Sequence, residues 1–359
     1  MTPRENLLGL YRRQGYSEAP VYFELCKSLQ EEFKRRYPDA ESIGEHFGFP
    51  VHVVPWDPVS LPERNFDLDR YYPEGLAEGT RIDVWGVAHE PGSEAAAHMT
   101  RMHHPMKDFE ELEDFENYPW PDFQNADFSH VEKGVEEAHR KGLAAYVPMA
   151  MTIWETAWYL RSMEALMMDM LEEDEKATYL LDWLTDSACY RIELYSRAGA
   201  DIIALGDDIG MQDSIMMSED MYRMWLKPRL KKVIDAAKAV KPDIIIQYHS
   251  CGYITPFISD LIEVGVDVLN PVQPECMDFA EIHAEFGGRL SFNGTIGTQT
   301  TMPFGTTDEV RETTIQNLDI AGTKGGLLCC PTHLLEPEVP WENIEAYAEA
   351  CREYKPSAR

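Results

Sequence analysis

Three stretches of the chain carry side chains that could bind a metal or move a proton. The first is His249-Ser250-Cys251. In an extended segment residues i and i+2 point to one face, so an imidazole and a thiol can meet at one point. Zinc accepts both ligand types. Two ligands do not hold the ion, and Cys330 and His333 are the candidates for a third. Cys329 and Cys330 are adjacent, so in a strand they face opposite sides and at most one points the same way. The alternative use makes His249 a hydrogen-bonding substrate contact and Cys251 a small buried hydrophobe. The second stretch is Asp207-Asp208. One of the pair can serve as general acid or base, because a neighbouring like charge raises a pKa. A helix cap, or a partner for Arg229, is the structural use. The third is WETAWYLR, in which Glu155 lies among Trp158 and Tyr159. It offers an apolar wall with one polar handle, or ordinary core packing. A histidine-rich stretch with His98, His103 and His104 precedes Pro105 and is expected to be a surface or lid loop rather than a second metal site.

The elements that would position these residues are short apolar runs. There are eight, at 20–25, 83–87, 144–150, 201–206, 243–248, 266–270, 290–294 and 325–330. Continuous rather than alternating runs predict strands buried on both faces, as in parallel sheets. Amphipathic helical patterns lie between the later runs. Met163, Leu166, Met167, Met170 and Leu171 repeat at helical spacing. Ser218 is a candidate N-cap, and Thr306 with Glu309 forms a capping box. Glycines 142, 199, 265 and 322 stand where helices should stop before strands. The alternation predicts an α/β fold, a (β/α)8 TIM barrel. A doubly wound sheet is the alternative, but the chain has neither G-x-G-x-x-G after its first run nor G-x-x-x-x-G-K-[ST]. In a barrel the site lies at the C-terminal strand ends. Glu24, Asp207, Asp208, His249, Cys251, Asn270, Gln273, Asn293, Cys330 and His333 all fall at or just after such ends.

Composition limits the partners. The chain has 359 residues, with 32 basic and 63 acidic side chains, for a net charge of −31. That excess of acid speaks against nucleic acid and against anionic membrane surfaces. Every apolar run is far shorter than the ~18 residues of a membrane span. The first residues show no signal-peptide pattern, and the seven cysteines read as thiols or metal ligands. A cytoplasmic protein is expected. The chain is expected to form one barrel domain over 1–359, with 1–19 as an N-terminal helical and loop extension.

The order of elements resembles the uroporphyrinogen decarboxylase superfamily, which also contains zinc-dependent corrinoid methyltransferases. The resemblance is carried by ALGDDIG, YHSCGYITPFISDLIEVGVDVLNPVQ, FGGRLSFNGTIGTQ and GGLLCCPTHLLEPEVPWENIEAY, and by the opening RENLLGLYRRQGYSEAPVYFE. It implies a (β/α)8 barrel. The decarboxylase branch implies an arginine-rich segment after the first strand, to clasp a carboxylate-rich tetrapyrrole. Here that segment is YFELCKSLQEEF, with Glu24 and only Lys27, so uroporphyrinogen decarboxylation is not expected. The methyltransferase branch carries an H-x-C…C zinc motif. His249 and Cys251 match its first two members. Matching ENI and its preceding proline puts the third at His333, with Cys330 as the substitute.

The resemblance therefore implies zinc-assisted methyl transfer between a small methylated substrate and the cobalt of a separate corrinoid protein. Many relatives of this subgroup look like the methyltransferase components of methoxyaromatic O-demethylase systems, so a methoxylated aromatic is the favoured substrate. No D-x-H-x-x-G motif is present, so the corrin is expected on a partner. Asp207 or Asp208 would supply a proton. Glu24, Glu155, Trp158, Tyr159, Asn270, Gln273 and Asn293 would surround the substrate. The alternatives are a metal-free decarboxylase of a smaller carboxylic acid, a coenzyme M-type thiol methyltransferase, and a non-catalytic tetrapyrrole-binding barrel. Expected partners are the corrinoid protein and a small methyl donor, without nucleic acid or membrane; a homodimer is left open.

Overall fold

The structure, a computed structural model, describes residues 1–92 and 100–356. His98 lies outside the described residues. In chain order the strands are β1 (Val51–Val53), β2 (Arg81–Ile82), β3 (Ala88–Glu90), β4 (Arg101–His103) and β5 (Ala144–Ala150). They continue with β6 (Ile202–Gly206), β7 (Ile245–His249), β8 (Val268–Asn270), β9 (Ser291–Asn293) and β10 (Leu327–Leu328). β1 and β5 to β10 form one parallel sheet in the order β1-β5-β6-β7-β8-β9-β10. All five residues of β6 are buried, as expected for a strand covered on both faces. The sheet curls into a barrel. The segment 20–25 takes the eighth place: Leu25 bridges Leu335 in parallel, and Phe23 packs edge-on against Phe47 and Phe49, which lie just before β1.

Seven of the eight apolar runs hold barrel positions. The exception is 83–87. Asp83 Oδ1 accepts the backbone N–H groups of Trp85, Gly86 and Val87, which folds the run into a turn. Gly86 has φ 99°, open to glycine at little strain. The run joins β2 to β3 in a separate antiparallel sheet, β2-β3-β4. The barrel strand in its place is β1.

The helices start and stop where capping chemistry puts them. Ser218 accepts from Met221 N, and Thr306 with Glu309 closes a capping box. Gly265, in the left-handed region at φ 103°, ends the helix Ile258–Val264 and turns the chain toward β8. The helix Pro3–Tyr11 lies across the N-terminal ends of the strands. Arg4 bonds both oxygens of Asp201, and Gly326 N donates to Leu10 O. Asp201 also accepts from Ala145 N and pairs with His139 at 2.9 Å. This closed end leaves the opposite rim, where the strands finish, as the open one.

Candidate active site

Parallel register brings the strand ends to one level. Gly206 of β6 faces His249 of β7, and His249 faces Asn270 of β8. A methyl group built on Gly206 would lie 2.7 Å from His249 Cβ, so glycine is what lets the histidine settle there. Just past the strands, His249 Nε2 stands 3.4 Å from Cys251 Sγ and 3.8 Å from Asp208 Oδ1. Asp208 also accepts Cys251 N at 2.7 Å. Potential ligand atoms of Asp208, His249 and Cys251 all fall within 4.8 Å of one another, the one such group among the described residues.

A hydrogen-bond relay fixes the orientation of His249. Asn270 Nδ2 donates to Asn293, so its oxygen is the atom that faces His249 Nδ1, at 2.7 Å. Nδ1 must therefore carry the proton, and the lone pair sits on Nε2, toward Cys251 and Asp208. Asn293 is held in turn by Tyr11, Gln247 and the Cys330 thiol, which donates to its Oδ1 at 3.0 Å. A neutral imidazole, a thiol and a carboxylate with clear access to a common point suit zinc, and the second nitrogen of the ligand histidine is hydrogen-bonded as zinc ligands usually are. Burial pushes the Cys251 thiol up to about 12 without a metal. A bound cation would reverse that by favouring the thiolate.

The other expected residues divide into those at the mouth and those behind it. An inner cavity of about 260 Å³ is lined by Glu24, His249, Asn270, Asn293, Cys330 and His333, with Tyr22, Phe23 and Tyr146 as its aromatic walls. A wider outer cavity of about 430 Å³ adds Cys251, Gln273 and again His333. Gln273 Oε1 holds Gly252 N, which shapes the turn after Cys251. Desolvation, then the nearby His249, hold the His333 imidazole below its ordinary pKa. Cys330 faces inward and Cys329 outward toward Thr295, as strand alternation requires. Neither Cys330 nor His333 joins the compact ligand group, whose third member is Asp208.

Three expectations need correction. Asp207 lines neither cavity. Its carboxylate accepts Ile153 N and Glu155 N and anchors the start of the helix Trp154–Arg161. Its pKa rises to about 7, chiefly through burial; the charge of Asp208 is the smallest contributor, not the cause. Glu155 also stands behind the site. It accepts Asp208 N and Tyr159 OH, and burial, then Asp208 and Asp207, raise it to about 8. Trp158 packs against Tyr159 and His104 and lines neither cavity, so the aromatic wall is built by Tyr22, Phe23 and Tyr146 instead. These and Gln247 are the site residues that sequence reasoning missed. The signal was the two-residue period: Tyr146, Pro148 and Ala150 share one face of β5, as Gln247 and His249 share one face of β7. The described part of the histidine stretch forms β4 and the turn after it, with His103 paired to Glu90 and His104 bonded to Tyr159 O.

The sequence signature of the uroporphyrinogen decarboxylase (URO-D) family matches residues 83–354, and the chain belongs to that family. It is 28% identical over 196 residues to the methylcobamide:CoM methyltransferase MtaA of Methanosarcina barkeri, covering 54% of each chain. It is 25% identical over 252 residues to the methylated-thiol–coenzyme M methyltransferase of Methanosarcina mazei, covering 66% of this chain and 62% of that one. The chain thus spans between half and two thirds of these curated relatives. A solved methyltransferase from Methanosarcina mazei superimposes with a TM-score of 0.70 at 18% identity, over 98% of this chain and 99% of that one, which establishes the shared barrel fold. No helix among the described residues is long and apolar enough to cross a membrane.

Proposed function

We propose that the protein is a methyltransferase that moves a methyl group between a small methylated substrate and the cobalt of a separate corrinoid protein. The observation that carries this reading is the Asp208–His249–Cys251 group on the rim of a barrel cavity, in a chain with relatives named as a methylcobamide:CoM methyltransferase and a methylated-thiol–coenzyme M methyltransferase. His249 Nε2, Cys251 Sγ and an Asp208 oxygen would hold zinc, with His333 or Cys330 as the neighbouring donors in reserve. Bound zinc supplies a Lewis acid for the heteroatom that loses or gains the methyl group. The corrinoid of the partner supplies the cobalt that takes up or releases it.

The chain's own residues position the reactants. Asn270 keeps the proton of His249 on Nδ1, so the Nε2 lone pair faces Cys251 and Asp208. Tyr22, Phe23 and Tyr146 put three aromatic side chains in the lining of the inner cavity, which suits a ring-bearing substrate. This favours a methoxylated aromatic donor, that is, O-demethylation. Holding the donor in line with an incoming reaction partner supplies a large part of any rate gain. Glu155 and Asp207 keep the Asp208 loop and the start of the helix Trp154–Arg161 in place from behind. A second reading, methylation of a thiol such as coenzyme M, is favoured by what both relatives are named for. The thiol-rich sequence, with seven free cysteines, fits a reducing cytoplasm.

The test has two parts. The purified protein is expected to contain about one zinc per chain, and Cys251→Ala should lose most of it along with activity. Mixed with a reduced corrinoid protein, the wild type should convert Co(I) to methyl-Co(III) fastest with methoxyaromatics. Reaction with methyl thiols alone would establish the second reading. Full activity of a zinc-free Cys251→Ala protein would overturn the metal role.

A further inference from the structure

We infer that the inner cavity selects substrates by charge: it takes an uncharged methyl donor that offers a hydroxyl to Glu24, and rejects carboxylates and sulfonates. This rests on the methyl-transfer reading and specifies its substrate. Among the described residues that line the inner and outer cavities, none is a lysine or arginine. Recognition of a carboxylate or sulfonate ordinarily calls on such a cation. What the lining offers instead is negative. Glu24 stands at the inner cavity, and Glu336 and Glu338 at the outer one.

The metal site does not offset this. A divalent ion held by the thiolate of Cys251 and the carboxylate of Asp208 would have its two charges balanced by theirs. His249 is engaged through Nδ1 with Asn270 and turns Nε2 toward Cys251 and Asp208. The chain as a whole, at −31, adds a field of the same sign.

Glu24 is also placed to recognise something. The Tyr22 hydroxyl donates to Glu24 Oε1 at 2.8 Å, which orients the carboxylate. A carboxylate has room for further donors on its two oxygens. With the rings of Tyr22, Phe23 and Tyr146 beside it, the cavity presents aromatic walls and one strong hydrogen-bond acceptor. A phenol carrying a methoxy group satisfies both. The same ring with a carboxylate added does not.

Two matched pairs of probes test the proposal by calorimetry on the zinc-loaded protein at pH 8, without corrinoid. One is 2-methoxyphenol against 4-hydroxy-3-methoxybenzoate. The other is 2-mercaptoethanol against 2-mercaptoethanesulfonate. In whichever pair binds, the uncharged member should bind at least tenfold more tightly. Glu24→Gln should shrink the gap to under threefold, and Glu24→Arg should reverse it. Circular dichroism melts confirm that each variant is folded; Glu24 is a solvent-facing side chain, so its replacement should leave the melt unchanged. Equal or tighter binding of the anionic member overturns the proposal. So does a gap that survives Glu24→Gln, or no binding of any of the four probes at millimolar concentration. Because the readout is binding, a failure of methyl transfer to cobalt is registered separately and leaves the charge preference standing or falling on its own.

Discussion

Asn270 decides the state of His249 without touching the ligand position. Its amide is oriented by Asn293, and it accepts the Nδ1 proton. Asn270→Leu should therefore weaken zinc binding by roughly 10–100-fold, the range seen when such outer partners are removed. Competition against a chelator measures this, and unchanged zinc affinity would show that His249 needs no such guide. At this scale the sequence was informative where local geometry is dictated by spacing. The i, i+2 relation of His249 and Cys251 was readable because extended backbone leaves no choice of face. Asp208 was read as an acid rather than a ligand. Nothing in two adjacent aspartates says that one turns toward His249 and Cys251 and the other into the backbone amides of the loop after β5. That division depends on Thr152 to Glu155 folding over β6, a contact across more than fifty residues.

Among the elements, the β6–β7 pair leaves no room for a side chain at Gly206. Gly206 meets His249 Cβ, O and Cα, with the nearest two atoms at 2.7 Å from an added methyl group. Backbone atoms cannot rotate away as a flexible side chain can. Gly206→Ala should cost about 1–3 kcal/mol of stability, the usual price of overpacking, and should displace His249. A lowered urea midpoint together with lost zinc is the expected result; a stable variant with full zinc would mean that the strands slide apart freely. The later strands were legible because each is a buried apolar run between amphipathic helices. β1 was not, because it has three residues, one of them histidine, and no strand-like length. The run at 83–87 took its place on composition alone. Its turn is made by one side-chain carboxylate competing for backbone N–H groups, a local effect that hydrophobic patterning does not register.

Across the whole molecule, two buried carboxyls and one buried carboxylate make stability depend on pH in opposite ways. Glu155 and Asp207 titrate near 8 and 7 in the folded, metal-free chain, against values near 4 when unfolded. The folded state then holds protons that the unfolded state has released. Stability should fall as pH rises from about 4 to about 8 and level off above. Asp201 acts in the other direction. Burial alone would raise its pKa, but the hydrogen bonds from Arg4 and Ala145 outweigh it and hold the carboxylate low. Its contribution is present above its unfolded pKa and is lost as pH falls through the folded one. Urea titrations of the chelated protein at pH 5 and pH 8 should therefore show the greater stability at pH 5. Glu155→Gln should flatten that difference, and an unaltered slope would remove Glu155 from the account.

The bridge between Leu25 and Leu335 joins residues at nearly opposite ends of the chain. On a ribosome, Leu25 emerges long before Leu335 exists. At roughly 5–20 residues per second, the wait is on the order of tens of seconds. During that time Phe23 and Leu25, both buried in the finished barrel, have no partner strand beyond β10 to cover them. The aromatic clasp of Phe23 with Phe47 and Phe49 is local and available early. The nascent chain can therefore park its first strand against that clasp. Ring closure, and with it the placing of Glu24 beside the cavity, must wait until Leu335 has been made.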